Sequence, residues 1–142
     1  MHDLKMSTHT ITCDMETGVD ICDITDELNA LVSGAGIVTG MAHVFVPGST
    51  GAATTIEYEP GVVNDLKRAI NELAAPGRLY DHELAWHDGN DHSHVQAALL
   101  GPSISIPIRE ARLALGDWQQ TVVINHDNSP RTREISITLI GC

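Results

Sequence analysis

Lysine and aromatic residues are scarce in this sequence, whereas acidic residues are abundant. Two lysines, Lys5 and Lys67, and six arginines stand against nineteen aspartates and glutamates, which gives a formal net charge of −11 at pH 7. Sequence-independent nucleic-acid binding and docking to anionic membranes both depend on clustered cations. The composition therefore argues against nucleic acid and against a membrane surface as partners.

The chain also lacks long apolar runs and paired cysteines. No apolar run reaches bilayer-spanning length, and residues 1–6 lack the basic and apolar regions of a signal peptide. The three cysteines, Cys13, Cys22 and Cys142, are odd in number and have no Cys-x-x-Cys spacing. These features predict a cytoplasmic protein with reduced thiols, in which Cys13 and Cys22 are buried as small hydrophobic residues.

Apolar periodicity predicts one compact α+β domain over residues 1–142, with residues 1–10 loosely ordered. Strands outnumber helices and do not alternate with them regularly, which favours a largely antiparallel sheet or sandwich with two to three helices. Thr25 or Asp26 offers N-cap chemistry to the first helix and Asp91 to the third. The predicted strands cover 8–15, 18–23, 37–46, 52–58, 103–108, 120–125 and 134–140, and the helices cover 25–32, 59–73 and 91–100.

Half of the eight histidines lie between Tyr80 and Gly101, among carboxylates and an asparagine. His82, Asp88 and His94 are candidates for a divalent metal centre with two nitrogen ligands and one oxygen ligand. Imidazoles suit zinc, iron or nickel, and a carboxylate can bind magnesium through oxygen. The same residues are candidates for acid–base catalysis. Their alternative role is structural, as loop histidines hydrogen-bonded to neighbouring carboxylates.

Other polar residues have two interpretations each. Asn90 either orients a ligand or caps the following helix, and Glu57 is either an acid–base group or a solvated strand end. Arg131 and Arg133 flank Thr132, so strand alternation sends both to one face. Two guanidinium groups there would grip a phosphate, unless they pair with surface carboxylates instead.

Several segments together resemble the YjbQ-like family, whose members are often labelled secondary thiamine-phosphate synthases. The resemblance covers residues 11–140 in unbroken order. It rests mainly on Asn90-Asp-His-Ser-His94 with Val-Gln-Ala-Ala-Leu-Leu-Gly101, on Leu115-Gly-Asp-Trp118-Gln119, and on Asp127-Asn-Ser-Pro-Arg131-Thr-Arg133. Supporting segments are Asp23-Ile-Thr-Asp26, Val44-Phe-Val-Pro47 and Thr54-Thr-Ile-Glu57.

The resemblance implies a homotrimer with a histidine-lined pocket for a metal or an anion. It implies an enzyme of transferase type that couples hydroxymethylpyrimidine diphosphate to thiazole phosphate and releases pyrophosphate. The family pattern falls on His82, Asp88, Asn90, His94, Trp118-Gln119 and Arg131. The alternative is a non-catalytic oligomer that binds a metal or a phosphorylated ligand.

One position departs from the family pattern. Many members carry a histidine directly after Pro47, where this chain has Gly48-Ser49-Thr50. The replacement removes one ligand from a three-histidine zinc site. A turn of this composition instead presents backbone N–H groups and the hydroxyls of Ser49 and Thr50 to an anion. Ser49 and Thr50 are therefore candidates for binding the substrate, a small phosphorylated metabolite.

Low lysine content with excess carboxylate is also the composition of proteins that stay hydrated in a salt-filled cytoplasm, and it suggests a halophilic source. We expect the melting temperature to rise between low and molar KCl, because salt screens the repulsion among surface carboxylates. Thermal unfolding followed across a KCl series tests this, and an unchanged melting temperature would contradict it.

Overall fold

The computed structural model describes residues 3–81 and 89–142. Strands and helices alternate irregularly along these two ranges, as the periodicity predicts. The elements are β1 Lys5–Met15, β2 Asp20–Asp23, α1 Thr25–Gly34, β3 Gly40–Phe45, β4 Gly51–Ile56, α2 Pro60–Leu73, α3 Asp91–Leu100, β5 Ser103–Arg109, β6 Arg112–Leu113, β7 Gln120–Asn125 and β8 Arg131–Gly141. The class is α+β, as predicted.

The strands form two antiparallel sheets. The larger sheet has the order β1-β8-β3-β5-β6, and the smaller sheet has the order β2-β7-β4. In the larger sheet, β1 and β8 pair from Lys5 opposite Gly141 to Met15 opposite Arg131. In the smaller sheet, Gly51 of β4 lies opposite Asn125 and Ile56 lies opposite Gln120. The latter register fixes which residues share an end of the molecule.

Three layers result from how these sheets bury their apolar faces. The inner face of the larger sheet packs on the smaller sheet and on α1, in a core that includes Leu28, Val44, Val123 and Ile137. The other face of the smaller sheet packs on α2 through Val63 and Ile70. Because β7 lies between two apolar layers, its residues Thr121–Asn125 are all buried. The sequence of a strand that is buried on both faces is typically a nearly continuous apolar run.

The outward-facing side chains of β1, β8 and β3 have no layer over them within the described residues. We call this surface the outer face; its residues are Met6, Thr8, Thr10, Thr12, Asp14, Thr132, Glu134, Ser136, Thr138, Ile140, Met41, His43 and Phe45. Only Asp14 and Glu134 among them are acidic, although the chain as a whole carries nineteen acids. Met6 is 68% exposed and Phe45 is 39% exposed.

The structure differs from the predicted elements at several ends. Strand β1 begins at Lys5, so residues 5–10 are paired with β8 rather than loosely ordered. The turn after Met15 carries the chain from the larger sheet into the smaller one, because β2 pairs with β7 and not with β1. Trp118 is 77% exposed in the single chain.

The helix starts differ as well. The backbone N–H of Thr25 donates to Asp23 Oδ1 at 2.9 Å. The side chain that accepts from a backbone N–H at the start of α1 is therefore Asp23, and not Thr25 or Asp26 as predicted. Asp91 is the first residue of α3 and provides no side-chain cap. At α2, Glu59 accepts from the N–H groups of Gly61 and Val62, which lowers the pKa of its carboxyl group. Within the described ranges, no helix has the length and apolar character needed to cross a bilayer.

Candidate functional site

A polar pocket of about 600 Å³ opens at the end of the molecule where β7 ends and β8 begins. We call it the arginine pocket. Three chain segments that are distant in sequence converge on it: the β3–β4 turn, the start of α3, and the β7–β8 turn with the first residues of β8. Its lining residues are Pro47, Gly48, Ser49, Thr50, Asn90, His94, Asp127, Arg131, Thr132, Arg133 and Glu134.

Asp127 holds these segments together. Its side chain is 1% exposed, and its two oxygens accept five hydrogen bonds. The donors are Thr50 Oγ1 at 2.9 Å, Asn90 Nδ2 at 3.2 Å, Ser129 N at 3.1 Å, Ser129 Oγ at 2.9 Å and Arg131 Nη2 at 3.0 Å. We call this set the Asp127 cluster. A carboxylate offers about four lone-pair sites, so both oxygens are fully used.

These donors decide the charge state of Asp127. Burial by itself raises the pKa of the carboxyl group, but the hydrogen bonds from Asn90, Ser129, Thr50 and Arg131 outweigh burial and hold the pKa well below its usual range. Asp127 is therefore an ionised structural anchor at neutral pH. Asp127 lines the pocket, but protein donors already occupy the lone pairs of its carboxylate.

Arg133 is the second buried charge of the pocket, and its partners are neutral. It is 8% exposed; Nη2 donates to Asn125 Oδ1 at 2.7 Å and to Thr50 Oγ1 at 2.8 Å, and Nε donates to Asn125 Oδ1 at 3.2 Å. In the described part of the chain, no carboxylate forms an ion pair with it. Burial lowers the pKa of this guanidinium, although arginine stays protonated in proteins. A buried cation of this kind favours an anionic ligand.

Two glycines make room for the Arg133 guanidinium. A Cβ atom at Gly51 would lie 2.9 Å from Nη1, and one at Gly48 would lie 3.6 Å from the same atom. Gly48 has φ of 106°, in the left-handed region that favours glycine. At Gly48 the constraint is therefore the backbone conformation, because a Cβ atom there would meet Nη1 only at ordinary van der Waals distance.

His94 and Ser49 complete the rim. His94 Nδ1 lies 3.4 Å from the backbone carbonyl oxygen of Ser49, so the first turn of α3 approaches the β3–β4 turn. Arg131 is 53% exposed on its side chain and lines the same pocket as Arg133, as strand alternation predicts. The structure thus brings together five predicted site residues: Ser49, Thr50, Asn90, His94 and Arg131.

Of its two predicted roles, Asn90 does not fill the capping role, and its role in orienting a ligand stays a prediction. It is the N-cap residue of α3 by position, but its side chain makes no cap hydrogen bond. Instead Nδ2 donates to Asp127, and Oδ1 accepts from the backbone N–H of Asn128 at 3.0 Å. Its amide therefore ties α3 to the β7–β8 turn at the edge of the pocket.

Glu57 and Gln119 do not join the arginine pocket in a single chain. Both lie at the opposite end of the smaller sheet, because Ile56 pairs with Gln120 whereas Gly51 pairs with Asn125. Glu57 is exposed. Gln119 donates to Thr55 Oγ1 at 3.0 Å and accepts from the N–H of Gly116 at 3.1 Å, which gives it a local structural role.

The predicted metal centre depends on residues outside the described ranges. His82 and Asp88 both lie in the segment 82–88, so only His94 of the three proposed ligands is described. Within residues 3–81 and 89–142, no group of three histidine, cysteine, aspartate or glutamate side chains is arranged to hold a metal ion. Asp127 is close by, but its oxygens are already saturated.

Sequence reasoning missed Asp127 and His126. Asp127 forms an Asx turn, in which Oδ1 accepts from the N–H of Ser129 two residues later. The Asp-x-Ser spacing was a signal for this turn. His126 is 1% exposed, and its Nδ1 lies 2.9 Å from Gln96 Oε1. No local pattern in the sequence predicts that contact, since it joins β7 to α3.

His126 is neutral at physiological pH. Burial is the main reason that its pKa falls to about 4, and the positive charge of Arg133 acts in the same direction. Gln96 Nε2 donates to the carbonyl oxygen of Ala74, so Gln96 Oε1 faces His126 and Nδ1 carries the ring hydrogen. Nε2 is buried and has no hydrogen-bond partner among the described residues.

The fold is a three-layer α+β domain with a polar pocket between its sheet ends and a helix start. Comparison with known proteins identifies the family. The family model described as "UPF0047 protein YjbQ-like" matches residues 9–142. The chain belongs to this YjbQ-like family.

Individual relatives agree with this assignment. A UPF0047 protein of Archaeoglobus fulgidus is 34% identical over 119 residues, covering 84% of this chain and 90% of the relative. The protein YugU of Bacillus subtilis is 32% identical over 124 residues, covering 86% of this chain and 90% of the relative.

Solved structures share the whole fold. A YbjQ-like protein of unknown function from Sulfolobus solfataricus has a TM-score of 0.93 at 31% identity, covering 99% of this chain and all of that one. A hypothetical protein from Aeropyrum pernix has a TM-score of 0.89 at 32% identity, covering 96% of this chain and 99% of that one.

We predict that His126 makes stability depend on pH between about 6.5 and 4. A histidine in the unfolded chain binds a proton below about pH 6.5, whereas His126 in the folded protein does so only near pH 4. The contribution of His126 to stability is therefore complete above about pH 6.5 and is lost as the pH falls towards 4. Replacement by His126→Gln should remove about 2 kcal/mol of the stability difference between pH 7.5 and pH 5. Urea unfolding at both pH values measures it.

The matched control is His43→Gln, which removes an imidazole from the outer face and leaves the buried Gln96 contact intact. If wild type and His126→Gln lose the same free energy of unfolding between pH 7.5 and pH 5, the neutral buried imidazole is not the cause.

Proposed function

We propose that the arginine pocket binds the phosphate group of a small phosphorylated metabolite. The observation that carries this proposal is the pair Arg131 and Arg133, which line one pocket in a chain of net charge −11. Phosphate oxygens match the planar fork of guanidinium donors. A protein with so few cations concentrates two of them where the β7–β8 turn ends.

The acidic residues of the pocket do not cancel this attraction. Asp127 formally balances one arginine, but all its lone pairs are occupied by protein donors. Glu134 is exposed and projects from the outer face. Arg133 has a buried guanidinium with neutral partners only, and Arg131 uses one of its five donors on Asp127. The donors that remain are available to an oxyanion.

The β3–β4 turn supports the same chemistry. Gly48 and Ser49 line the pocket opposite the arginines and supply small backbone and hydroxyl donors. His94 lies at the rim, within reach of a bound ligand. An imidazole side chain can act as a general acid or a general base. In the proposed arrangement the arginines and Ser49 hold the phosphate, while His94 serves as the acid–base group.

The reaction we propose is that of a secondary thiamine-phosphate synthase. It joins hydroxymethylpyrimidine diphosphate to thiazole phosphate and releases pyrophosphate, so a guanidinium pair at the leaving group would stabilise the charge that develops there. A divalent metal, zinc or magnesium, bound by His94 with His82 and Asp88, would add Lewis-acid stabilisation of the leaving oxygens.

The second candidate is a non-catalytic oligomer that binds a phosphorylated ligand or a metal. The saturation of Asp127 favours it, because that carboxylate is the most deeply buried acid of the pocket and has no lone pair left for proton transfer. Where the ligand is phosphorylated, both candidates use the same site and differ only in whether the bound ligand is turned over.

We also propose that the protein assembles as a homotrimer through the outer face. This surface has few charges in a strongly acidic chain, so it is where like-charged copies approach with little repulsion. Light scattering tests the assembly: we expect three times the chain mass of 15.3 kDa, reduced by Phe45→Glu. A monomeric wild type would contradict it.

The phosphate site is tested by calorimetric titration with pyrophosphate. We expect Arg131→Gln to weaken binding at least about tenfold, because it removes one charge-assisted contact worth roughly 1.4 kcal/mol or more. Arg112→Gln is the matched control, since it removes the same charge from an exposed strand outside the pocket. Equal losses in both variants, or no binding by the wild type, would overturn the proposal.

Turnover separates the two candidates. Release of pyrophosphate from hydroxymethylpyrimidine diphosphate and thiazole phosphate, abolished by His94→Gln while pyrophosphate still binds, supports the synthase. Binding without turnover, with or without added zinc or magnesium, supports the non-catalytic oligomer.

A further inference from the structure

Cys13 and Cys22 face each other across the two sheets. Cys13 lies on β1 of the larger sheet and is 4% exposed, whereas Cys22 lies on β2 of the smaller sheet and is half-buried. Their sulfur atoms are 3.7 Å apart. The strand order makes this a contact between layers rather than between hydrogen-bonded neighbours, because β1 pairs only with β8 and β2 only with β7.

We propose that Cys13 and Cys22 form a reversible disulfide, and that this pair is a redox modification site behind the arginine pocket. Bond formation brings the two sulfurs from 3.7 Å to about 2.0 Å. Where thiols are otherwise kept reduced, a disulfide of this kind is transient and responds to oxidants rather than serving as a scaffold.

The two thiols have different roles because their surroundings differ. Cys22 is the more exposed of the two residues, so it is the one that an oxidant reaches first. The hydrogen bond between the thiols, followed by burial, raises the pKa of Cys13, whereas the same hydrogen bond lowers the pKa of Cys22 against the opposing effects of burial and of Glu27. Cys22 is therefore the attacking thiolate, and Cys13 is the resolving thiol.

The oxidant we name is a hydroperoxide, and the steps balance. Cys22 thiolate attacks one peroxide oxygen, the O–O bond breaks, and Cys22 becomes a sulfenic acid while the other oxygen leaves and takes up a proton. Cys13 then attacks the Cys22 sulfur, an S–S bond forms, the S–O bond breaks, and water leaves with the Cys13 proton. Two thiols and one hydrogen peroxide thus give one disulfide and two waters.

The position of the pair connects it to the Asp127 cluster. Cys13 lies directly opposite Arg133 in the β1–β8 ladder. The segment between the cysteines contacts the end of β7 and the residues that follow it. Asn125 Nδ2 donates to the carbonyl oxygen of Glu16 at 2.7 Å, and the backbone N–H of Gly18 donates to the carbonyl oxygen of Asp127 at 2.8 Å. A disulfide closes this segment into a loop braced against the residues that hold Arg133 and Asp127.

The test uses the folded full chain in a Cys142→Ser background, because Cys142 is exposed and would otherwise compete for oxidant. The protein is treated with hydrogen peroxide, quenched, digested without reductant and analysed by mass spectrometry. We expect a cross-linked peptide pair containing Cys13 and Cys22, a loss of two hydrogens from the intact chain, and recovery of both thiols with dithiothreitol.

Two variants assign the roles. In Cys13→Ser, Cys22 should stop at the sulfenic acid, which dimedone traps. In Cys22→Ser, Cys13 should remain a thiol because it is buried. The proposal is overturned if the folded protein keeps both thiols under peroxide, or if the cross-link forms only in urea. It is also overturned if Cys22→Ser leaves Cys13 equally reactive.

Discussion

A buried carboxylate that must stay ionised is the constraint on which the functional end of this protein depends. Asp127 accepts from Thr50, Asn90, Ser129 and Arg131, and these donors come from the β3–β4 turn, α3, the β7–β8 turn and β8. Removing any one donor leaves part of a buried charge unpaired, which is expensive. One side chain therefore fixes the relative positions of four segments that are far apart in sequence.

This arrangement explains how an acidic chain can hold two arginines in one pocket. The acid that could neutralise the arginines is saturated by protein donors, while Arg133 is held by neutral oxygens of Asn125 and Thr50. Gly48 and Gly51 leave space beside its Nη1 atom. Hydrogen bonding thus allows the pocket to be locally positive although the chain as a whole is negative.

Much of the fold followed from periodicity, and part of the site followed from composition. The limits of β7 were predicted correctly at 120–125, and Ser49, Thr50, Asn90, His94 and Arg131 do share a pocket. The residues that the sequence did not place correctly relative to the pocket depend on long-range geometry. Glu57 and Gln119 sit at the other end of the smaller sheet, since strand composition does not say which end of a strand faces a site. Asp127 was missed because two of its partners, Asn90 and Thr50, lie 37 and 77 residues away in the sequence.

The most direct measurement is the titration of the Asp127 carboxyl carbon by NMR in the folded protein. The account requires the donors around Asp127 to keep this group ionised far into the acid range, so its chemical shift should remain constant as neighbouring exposed carboxylates protonate. In Thr50→Val, which removes one donor, its pKa should move upward. A carboxyl group that titrates together with exposed aspartates in the wild type would contradict the saturated anchor, and with it the basis for an arginine pocket open to anions.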